Sequence, residues 1–109
     1  MNKARYEIRS GKTGLFHFVL IAPNNEIVGT SNNVESQDDC RNLIDKVRHN
    51  SQDMANYERR FSVKSEPYFN LLNGTHVILK SEMYSSTSAR EKGIDAVIQY
   101  GQTLEVVEE

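Results

Sequence analysis

The sequence lacks several features that would assign it to a specialised class of protein. Its 109 residues contain one cysteine, Cys40, so an internal disulfide framework is excluded and a reducing compartment is expected. No run of about 18 apolar residues occurs, so we expect no membrane-spanning helix. The polar N-terminal stretch does not have the pattern of a secretory signal peptide. Together these absences predict a cytoplasmic protein.

A large net charge is also missing. The chain has 13 Lys and Arg against 15 Asp and Glu, which leaves a formal net charge of −2. Domains that bind nucleic acid usually carry a clear excess of basic residues. The charge balance therefore argues against a strong electrostatic footprint for nucleic acid. A hydrophobic content of 38% is ordinary for a soluble globular domain.

No constellation of catalytic or metal-binding residues is recognisable. His17, His49 and His76 have no second ligand at the short spacings that metal sites use. The sequence has no phosphate-binding glycine motif, no nucleophilic serine motif and no calcium-binding loop. Cys40 falls on an apolar helical stripe and is interpreted as a small buried hydrophobe, with a reactive thiol as the less favoured alternative. We therefore predict a protein that is not an enzyme and that needs no cofactor or metal.

One stretch of the sequence occurs twice. Residues 27–47, IVGTSNNVESQDDCRNLIDKV, align with residues 77–97 at a shift of fifty positions (81 − 31 = 50). Each copy has the pattern of a short strand, a polar turn and an amphipathic helix. Half of this chain would bury too little apolar surface to be stable alone. We therefore predict a single domain, 1–109, built from a repeat at about 4–56 and a second at about 57–109.

The remaining elements follow from hydrophobic periodicity and turn residues. Ser36 and Ser86 are predicted to begin the two helices as N-caps. Asn73-Gly74 predicts a hairpin with a type I′ turn. Gly93, inside the second helix, indicates that the helix closely approaches the sheet or the other helix. Alternation of polar and apolar residues predicts strands over 5–9, 15–22, 26–30, 57–63, 68–72, 77–80 and 103–107.

The second repeat resembles a known family in specific positions. These are Phe69-Asn70-Leu71, Asn73-Gly74, Val77-Ile78, the turn from Ser81 to Ser86, the run from Arg90 to Ile94, and Val97. The chain is similar over nearly its whole length to the YegP-like family of small bacterial proteins of uncharacterised function. In the first repeat, Asn32, Val34 and Leu43 stand where the family pattern prefers glutamate, tyrosine and glycine.

The resemblance implies an α+β fold of two tandem β-β-β-α-β repeats. Both repeats share one antiparallel sheet with two helices packed on it, and they exchange their last strands in a pseudo-twofold arrangement. This agrees with the strand patterns that follow each helix, at 57–63 and 103–107. The family has no established catalytic residues to carry over. Because the two repeats satisfy each other, we predict a monomer.

The best local candidate for a binding site is the second turn and helix start, with Glu82, Tyr84, Arg90 and Glu91. Tyrosine and arginine are the residues that most often dominate binding surfaces. The competing interpretation is structural: Tyr84 packs over the start of the helix, and the alkyl part of Arg90 lies along its apolar row. The predicted function is a non-catalytic interaction module for an unknown protein or small ligand.

The alternative function is weak nucleic-acid binding by basic residues on the sheet and its turns. The basic residues concerned are Arg5, Arg9, Lys12, Arg59, Arg60 and Lys64. Bases can stack on aromatic side chains of a sheet that is flanked by such residues. However, the aromatic residues of these strands fit the buried face instead, namely Tyr6, Phe16, Phe18, Phe61 and Phe69. The interaction module is therefore the preferred prediction.

Overall fold

The protein folds into one seven-stranded sheet with two helices packed against one of its faces. The computed structural model describes residues 3–11 and 13–109. The strands are β1 (Arg5–Ser10), β2 (Phe16–Ile21), β3 (Ile27–Thr30), β4 (Tyr57–Phe61), β5 (Pro67–Asn73), β6 (His76–Ser81) and β7 (Val106–Glu108). The helices are α1 (Gln37–Asn50) and α2 (Thr87–Tyr100), and a 3₁₀ turn covers Met54–Asn56. The strand order is β4-β5-β6-β3-β2-β1-β7, so the predicted α+β fold is confirmed.

The two helices begin where the sequence predicts. The Ser36 hydroxyl accepts a hydrogen bond from the Asp39 backbone N–H at 3.0 Å, and Ser86 accepts one from Ala89 at 3.0 Å. Each serine thereby satisfies one of the backbone donors that a helix start leaves unpaired. The shared geometry explains why both helices begin at equivalent positions of the repeat.

The predicted type I′ turn at Asn73-Gly74 is wrong in detail. Asn73 pairs with His76 as the last residue of β5, so the two loop residues are Gly74 and Thr75. A type I′ turn needs positive φ at both loop residues, but only Gly74 has it, at 64°. Positive φ at the first loop position alone is the pattern of a type II′ turn, which also suits a hairpin.

A pseudo-twofold relation between the repeats is visible in matched hydrogen bonds. The Tyr6 hydroxyl donates to the Gly101 carbonyl at 2.7 Å, and the Tyr57 hydroxyl donates to the Ser51 carbonyl at 2.9 Å. Both acceptors lie at the C-terminal end of a helix, whose last carbonyls have no partner within the helix. Each tyrosine therefore anchors a strand to a helix end, once in each half of the molecule.

The last strands are exchanged between the repeats, as predicted. β4 follows α1 but pairs with β5 of the second repeat, and β7 follows α2 but pairs with β1 of the first. The β1–β7 pair is parallel, so the sheet is mixed rather than wholly antiparallel. The chain leaves α2 beside the start of β1, where the Thr103 hydroxyl donates to the Ala4 carbonyl at 2.8 Å. From that point β7 runs in the same direction as β1.

The hydrophobic core lies between the helices and one face of the sheet and draws on both repeats. Tyr6, Phe18, Ile44, Phe69 and Ile94 are all at most 1% exposed. No helix of the described residues covers the opposite face, although Val19 and Ile21 of the interior strand β2 are buried there by neighbouring side chains. Within residues 3–11 and 13–109, neither helix is long and apolar enough to cross a bilayer.

Candidate binding site

Arg90 and Glu91 lie together near the start of α2, where they contact strand β4. Glu91 accepts hydrogen bonds from Arg59 at 2.7, 2.9 and 3.0 Å, in a two-pronged ion pair. Arg90 is only 8% exposed; its guanidinium lies 5.3 Å from the Phe61 ring centroid and donates to the Arg60 carbonyl at 3.3 Å. These contacts join α2 to the edge of the sheet.

The ion pair changes the proton affinity of both partners. The hydrogen bond from Arg59 is the main reason why the pKa of Glu91 lies below its ordinary value. The same bond raises the pKa of Arg59. A hydrogen bond to the charged form favours that form, so Glu91 is ionised at neutral pH. Because both side chains are partly solvated, the pair contributes little stability on its own.

Tyr84 packs against the middle of α2 and against strand β5. Its backbone N–H donates to the Pro67 carbonyl at 2.8 Å, and its ring stacks on Phe69 with centroids 6.3 Å apart and planes 7° apart. A Cβ placed on Gly93 would overlap the Tyr84 hydroxyl and lie 2.5 Å from Cζ. The expected approach of α2 to the sheet is present, with Phe69 Cε2 3.1 Å from this Cβ position, but the neighbour that lies nearest to Gly93 is Tyr84 of the turn before α2.

The first repeat has the reverse combination of sizes at the equivalent positions. Val34 stands in place of Tyr84, and Leu43 stands in place of Gly93. Both side chains pack against the shared core. The second repeat thus has a large side chain on the turn and glycine on the helix, whereas the first has a medium-sized side chain on the turn and leucine on the helix.

The four predicted site residues therefore fall into two groups. Arg90 and Glu91 contact β4, whereas Tyr84 contacts Gly93 and Phe69. Glu82 is exposed to solvent and lies close enough to Tyr84 to affect its titration. Burial is the main reason why the pKa of Tyr84 is raised, and the charges of Glu82 and Glu26 act in the same direction. The Tyr84 hydroxyl therefore stays protonated at neutral pH.

A groove of about 410 Å³ opens beside Tyr84, between α2 and the turn from β2 to β3. We call it the α2 groove. Its lining comprises Ala22, Pro23, Asn24, Glu26, Ile27, Val28, Tyr84, Ala89, Lys92, Gly93, Ala96 and Tyr100. Small side chains on one row of α2 form the floor, and two tyrosines, Lys92 and Glu26 supply polar groups. The residues on the β2–β3 turn were not predicted, because their nearness to α2 depends on tertiary packing.

The equivalent groove in the first repeat has a different chemistry. It lies between α1 and the turn from β5 to β6, and its lining comprises Asn42, Asp45, Lys46, His49, Asn50 and Asn73. Lys46 stands where the second repeat has Ala96, and Asn50 stands where it has Tyr100. The residues that line the groove beside α1 are thus all of polar types, whereas those beside α2 include alanine, glycine and tyrosine.

The residues with possible metal or nucleophilic chemistry are dispersed. No group of three or more His, Cys, Asp or Glu side chains is close enough to hold a metal among residues 3–11 and 13–109. Cys40 is fully buried on α1, and burial raises the pKa of its thiol, with the charge of Asp39 adding to the effect. A raised pKa disfavours the thiolate, which is the reactive form.

The basic residues named for nucleic-acid binding are partly neutralised. Glu7 accepts from both Arg5 and Arg9 at 2.9 Å on the helix-free face of the sheet. Phe18 and Phe69 are fully buried and cannot stack on bases. The expectation that Phe61 faces the core is wrong, because it lies on the edge strand β4 and is 58% exposed. Lys12 lies outside the described residues. On the helix-free face, the Lys80 ammonium lies 5.0 Å from the centroid of the Tyr68 ring.

Together these features define a small α+β protein of two tandem repeats with a shared core. The family model described as "Domain of unknown function (DUF1508)" matches the chain twice, over residues 12–58 and 62–108. The chain therefore belongs to the DUF1508 family, in the two-copy form of the bacterial UPF0339, or YegP-like, proteins.

Similarity extends over more than nine-tenths of the length of individual relatives. A UPF0339 protein of Acinetobacter baylyi is 42% identical over 102 residues, covering 93% of this chain and 92% of the relative. The UPF0339 protein YegP of Escherichia coli K12 is 33% identical, covering 93% of both chains. The solution NMR structure of the Shewanella oneidensis UPF0339 protein superposes with a TM-score of 0.90 at 34% identity, over 97% of this chain and 91% of that one. The solution structure of yegP from Escherichia coli, described as a protein of unknown function, gives 0.92 at 30% identity, over 100% and 95%.

Proposed function

We propose that this protein is a non-catalytic cytoplasmic binding module and that the α2 groove receives its ligand. The observation that carries the proposal is the asymmetry between the two grooves. The residues that line the groove beside α1 are all of polar types, whereas Ala89, Gly93 and Ala96 line the groove beside α2. Ligand sites are typically concave and largely apolar, with a few polar groups that set orientation.

The residues of the groove indicate what kind of ligand fits. Ala89, Gly93 and Ala96 leave space for an apolar group next to the helix. The protonated Tyr84 hydroxyl makes no hydrogen bond within the described part of the chain, so it is available to a ligand acceptor. Lys92 and Glu26 supply one charge of each sign to the lining. A partner's apolar side chain flanked by polar groups, or a small amphiphilic molecule, meets these requirements.

The chemistry of the groove supports binding rather than catalysis. A nucleophile needs a neighbouring base, and a general acid–base pair needs groups with suitable pKa values within hydrogen-bond reach. Among the described residues, the lining contains neither histidine nor cysteine. Its tyrosine Tyr84 has a raised pKa, which makes it a poor base at neutral pH.

The test compares the wild type with two leucine variants that occupy equivalent positions. Ala96→Leu fills the α2 groove, whereas Lys46→Leu adds the same side chain beside the polar groove of the first repeat. Each protein is purified from its source cells and examined by native mass spectrometry, and each is also used as bait in the cell extract with and without nuclease. We expect a bound molecule or protein that is retained by wild type and Lys46→Leu but lost by Ala96→Leu. Equal retention by all three proteins, or no bound species, would contradict the proposal.

Weak nucleic-acid binding is the second proposal, and the helix-free sheet face supports it. Tyr68 and Lys80 lie together there, and Arg60 is 53% exposed on the neighbouring edge strand. Retention on single-stranded RNA or DNA that falls steeply with salt would favour this function. Lys80→Glu should abolish such retention, and Ala96→Leu should leave it unchanged. A partner that survives nuclease and moderate salt favours the groove instead.

A further inference from the structure

The outer sides of β1 and β4 differ, although the pseudo-twofold relation makes these two strands equivalent. β1 and β4 occupy matching positions: Tyr6 pairs with Leu20, and Tyr57 pairs with Leu71. The outer edge of β1 is covered by β7, which pairs with it in parallel. The outer edge of β4 has no strand beside it in the described chain. The outer side of β1 is thus covered by a strand, whereas the equivalent outer side of β4 is open in the described chain.

The register shows which backbone groups of β4 point outward. The Phe69 N–H donates to the Ser81 hydroxyl at 2.9 Å and so faces away from β4. Its partner in the antiparallel pair is Arg59, whose N–H and C=O must therefore face away from β5. Phe61, two residues on, faces the same way, whereas the Tyr57 N–H is bonded to the Met54 carbonyl of the 3₁₀ turn. The open part of the edge therefore comprises Arg59 to Phe61.

The side chains along this edge favour an acidic partner. On the covered edge, Glu108 lies opposite Ile8, and Glu109 forms an ion pair with Arg9 at 3.4 Å. The residues of β4 that correspond to Ile8 and Arg9 are Arg59 and Arg60, so β4 offers two arginines where β1 offers one. With Arg90 included, three arginines at this edge face two glutamates, Glu58 and Glu91.

We infer that β4 is a docking edge for an extended acidic segment of a partner protein, which adds parallel to it as β7 adds to β1. Backbone hydrogen bonds to Arg59 and Phe61 supply affinity, and carboxylates facing Arg59 and Arg60 supply specificity. Symmetric pairing of β4 with β4 of a second copy would bring arginines of both copies together, and like charges across a strand pair are destabilising. A second copy is therefore not the occupant. This surface is separate from the α2 groove.

The probe is a capped peptide with the sequence of residues 103–109, TLEVVEE, because this is the strand that the molecule already uses on the equivalent edge. It is titrated into the full-length ¹⁵N-labelled protein and followed by amide chemical shifts. We expect saturable shifts at the amides of Arg59 and Phe61, which gain hydrogen bonds, and smaller shifts at Glu58 and Arg60, which are already bonded to β5. Shifts centred on Tyr6 and Ile8 would mean that the peptide replaces β7, and shifts confined to the α2 groove would place it there. Either result, or the absence of saturable shifts, would overturn the inference.

Variants and a second peptide test the charge requirement. The Arg60→Glu variant should bind the TLEVVEE peptide about fivefold more weakly, the size of one solvent-exposed ion pair. A TLKVVKK peptide, in which three charges are reversed, should bind the wild type more weakly still. Lys80→Glu makes the same charge change on β6, two strands in from this edge, and should leave the affinity within about twofold. Ala96→Leu should also leave the peptide affinity unchanged. The test of the α2 groove and the test of the β4 edge can therefore fail independently of each other. Equal weakening by Arg60→Glu and Lys80→Glu would reduce the effect to net charge and overturn the inference.

Discussion

Replacing Gly93 by leucine tests the contact between α2 and Tyr84 directly. At an unhindered helix position, this change would stabilise the helix by up to about 1 kcal/mol. Here any side chain meets the Tyr84 hydroxyl, with Phe69 Cε2 3.1 Å from the Cβ position. Tyr84 is partly exposed and can move outward, but Phe69 is fully buried and cannot.

The expected cost follows from these contacts. Displacing Tyr84 forfeits a stacked aromatic pair, about 0.5–1.5 kcal/mol, and crowding Phe69 adds about 1–3 kcal/mol. After the gain in helix propensity, we expect Gly93→Leu to lower the free energy of unfolding by about 0.5–3.5 kcal/mol. Urea unfolding measures this value, and the melting temperature should fall by about 4–8 °C for each kcal/mol.

The first repeat supplies the compensating change. Tyr84→Val combined with Gly93→Leu reproduces the Val34 and Leu43 pair, so the double variant should be more stable than the sum of the single changes predicts. We expect a favourable coupling of at least about 1 kcal/mol, as for residues in direct contact. Tyr68→Val, on the opposite face of the sheet, is the control and should be additive with Gly93→Leu. If the effects of Tyr84→Val and Gly93→Leu were also additive within about 0.5 kcal/mol, the packing argument would be refuted.

Three further measurements follow from the structure. Tyr6→Phe and Tyr57→Phe should each cost about 0.5–1.5 kcal/mol, because each removes one buried hydroxyl bond to a helix end; unequal effects would contradict the pseudo-twofold anchoring. Glu91 has a pKa below its ordinary 4.5, so its contribution to stability is present above that pH and is lost as the pH falls below it. Arg59→Gln should remove this part of the acid dependence and cost less than about 1 kcal/mol at neutral pH; an unchanged pH profile would count against the pair. Sedimentation should give a mass near 12.5 kDa, and a mass of twice that value would contradict the predicted monomer.

Local patterns in the sequence predicted most of the elements because their causes lie within a few residues. Ser36 and Ser86 cap the helices by accepting a hydrogen bond from the backbone N–H three residues further along the chain. In a strand, the alternation of polar and apolar residues indicates which side chains face the core. The fifty-residue repeat indicated one domain with a shared core, and the family resemblance, with which the strand patterns after both helices agree, implied a shared sheet. The turn at Asn73 shows the limit: the residue types indicated a hairpin, but the strand register decided which two residues form its loop.

The candidate site could be predicted only in part, because its contacts join residues that are distant in the sequence. The sequence pointed to Tyr84 and Arg90, but Arg90 is buried against β4, thirty residues from its acceptor at Arg60. Nothing in a local window reveals that contact, nor the ion pair of Arg59 with Glu91. The glycine inside α2 predicted a close contact at Gly93, but only the structure identified Tyr84 as the side chain that lies against it.

By itself, then, the sequence determined the repeat, the order of strands and helices, the helix starts and the membership in a two-copy α+β family. Periodicity, capping and turn preference act over short distances and are therefore written in consecutive residues. The tertiary structure decided that β7 runs parallel to β1, that α2 forms an apolar groove with the β2–β3 turn, and that β4 keeps an open edge. Those features depend on which distant segments meet and in what register, and the free energy of the whole core selects them.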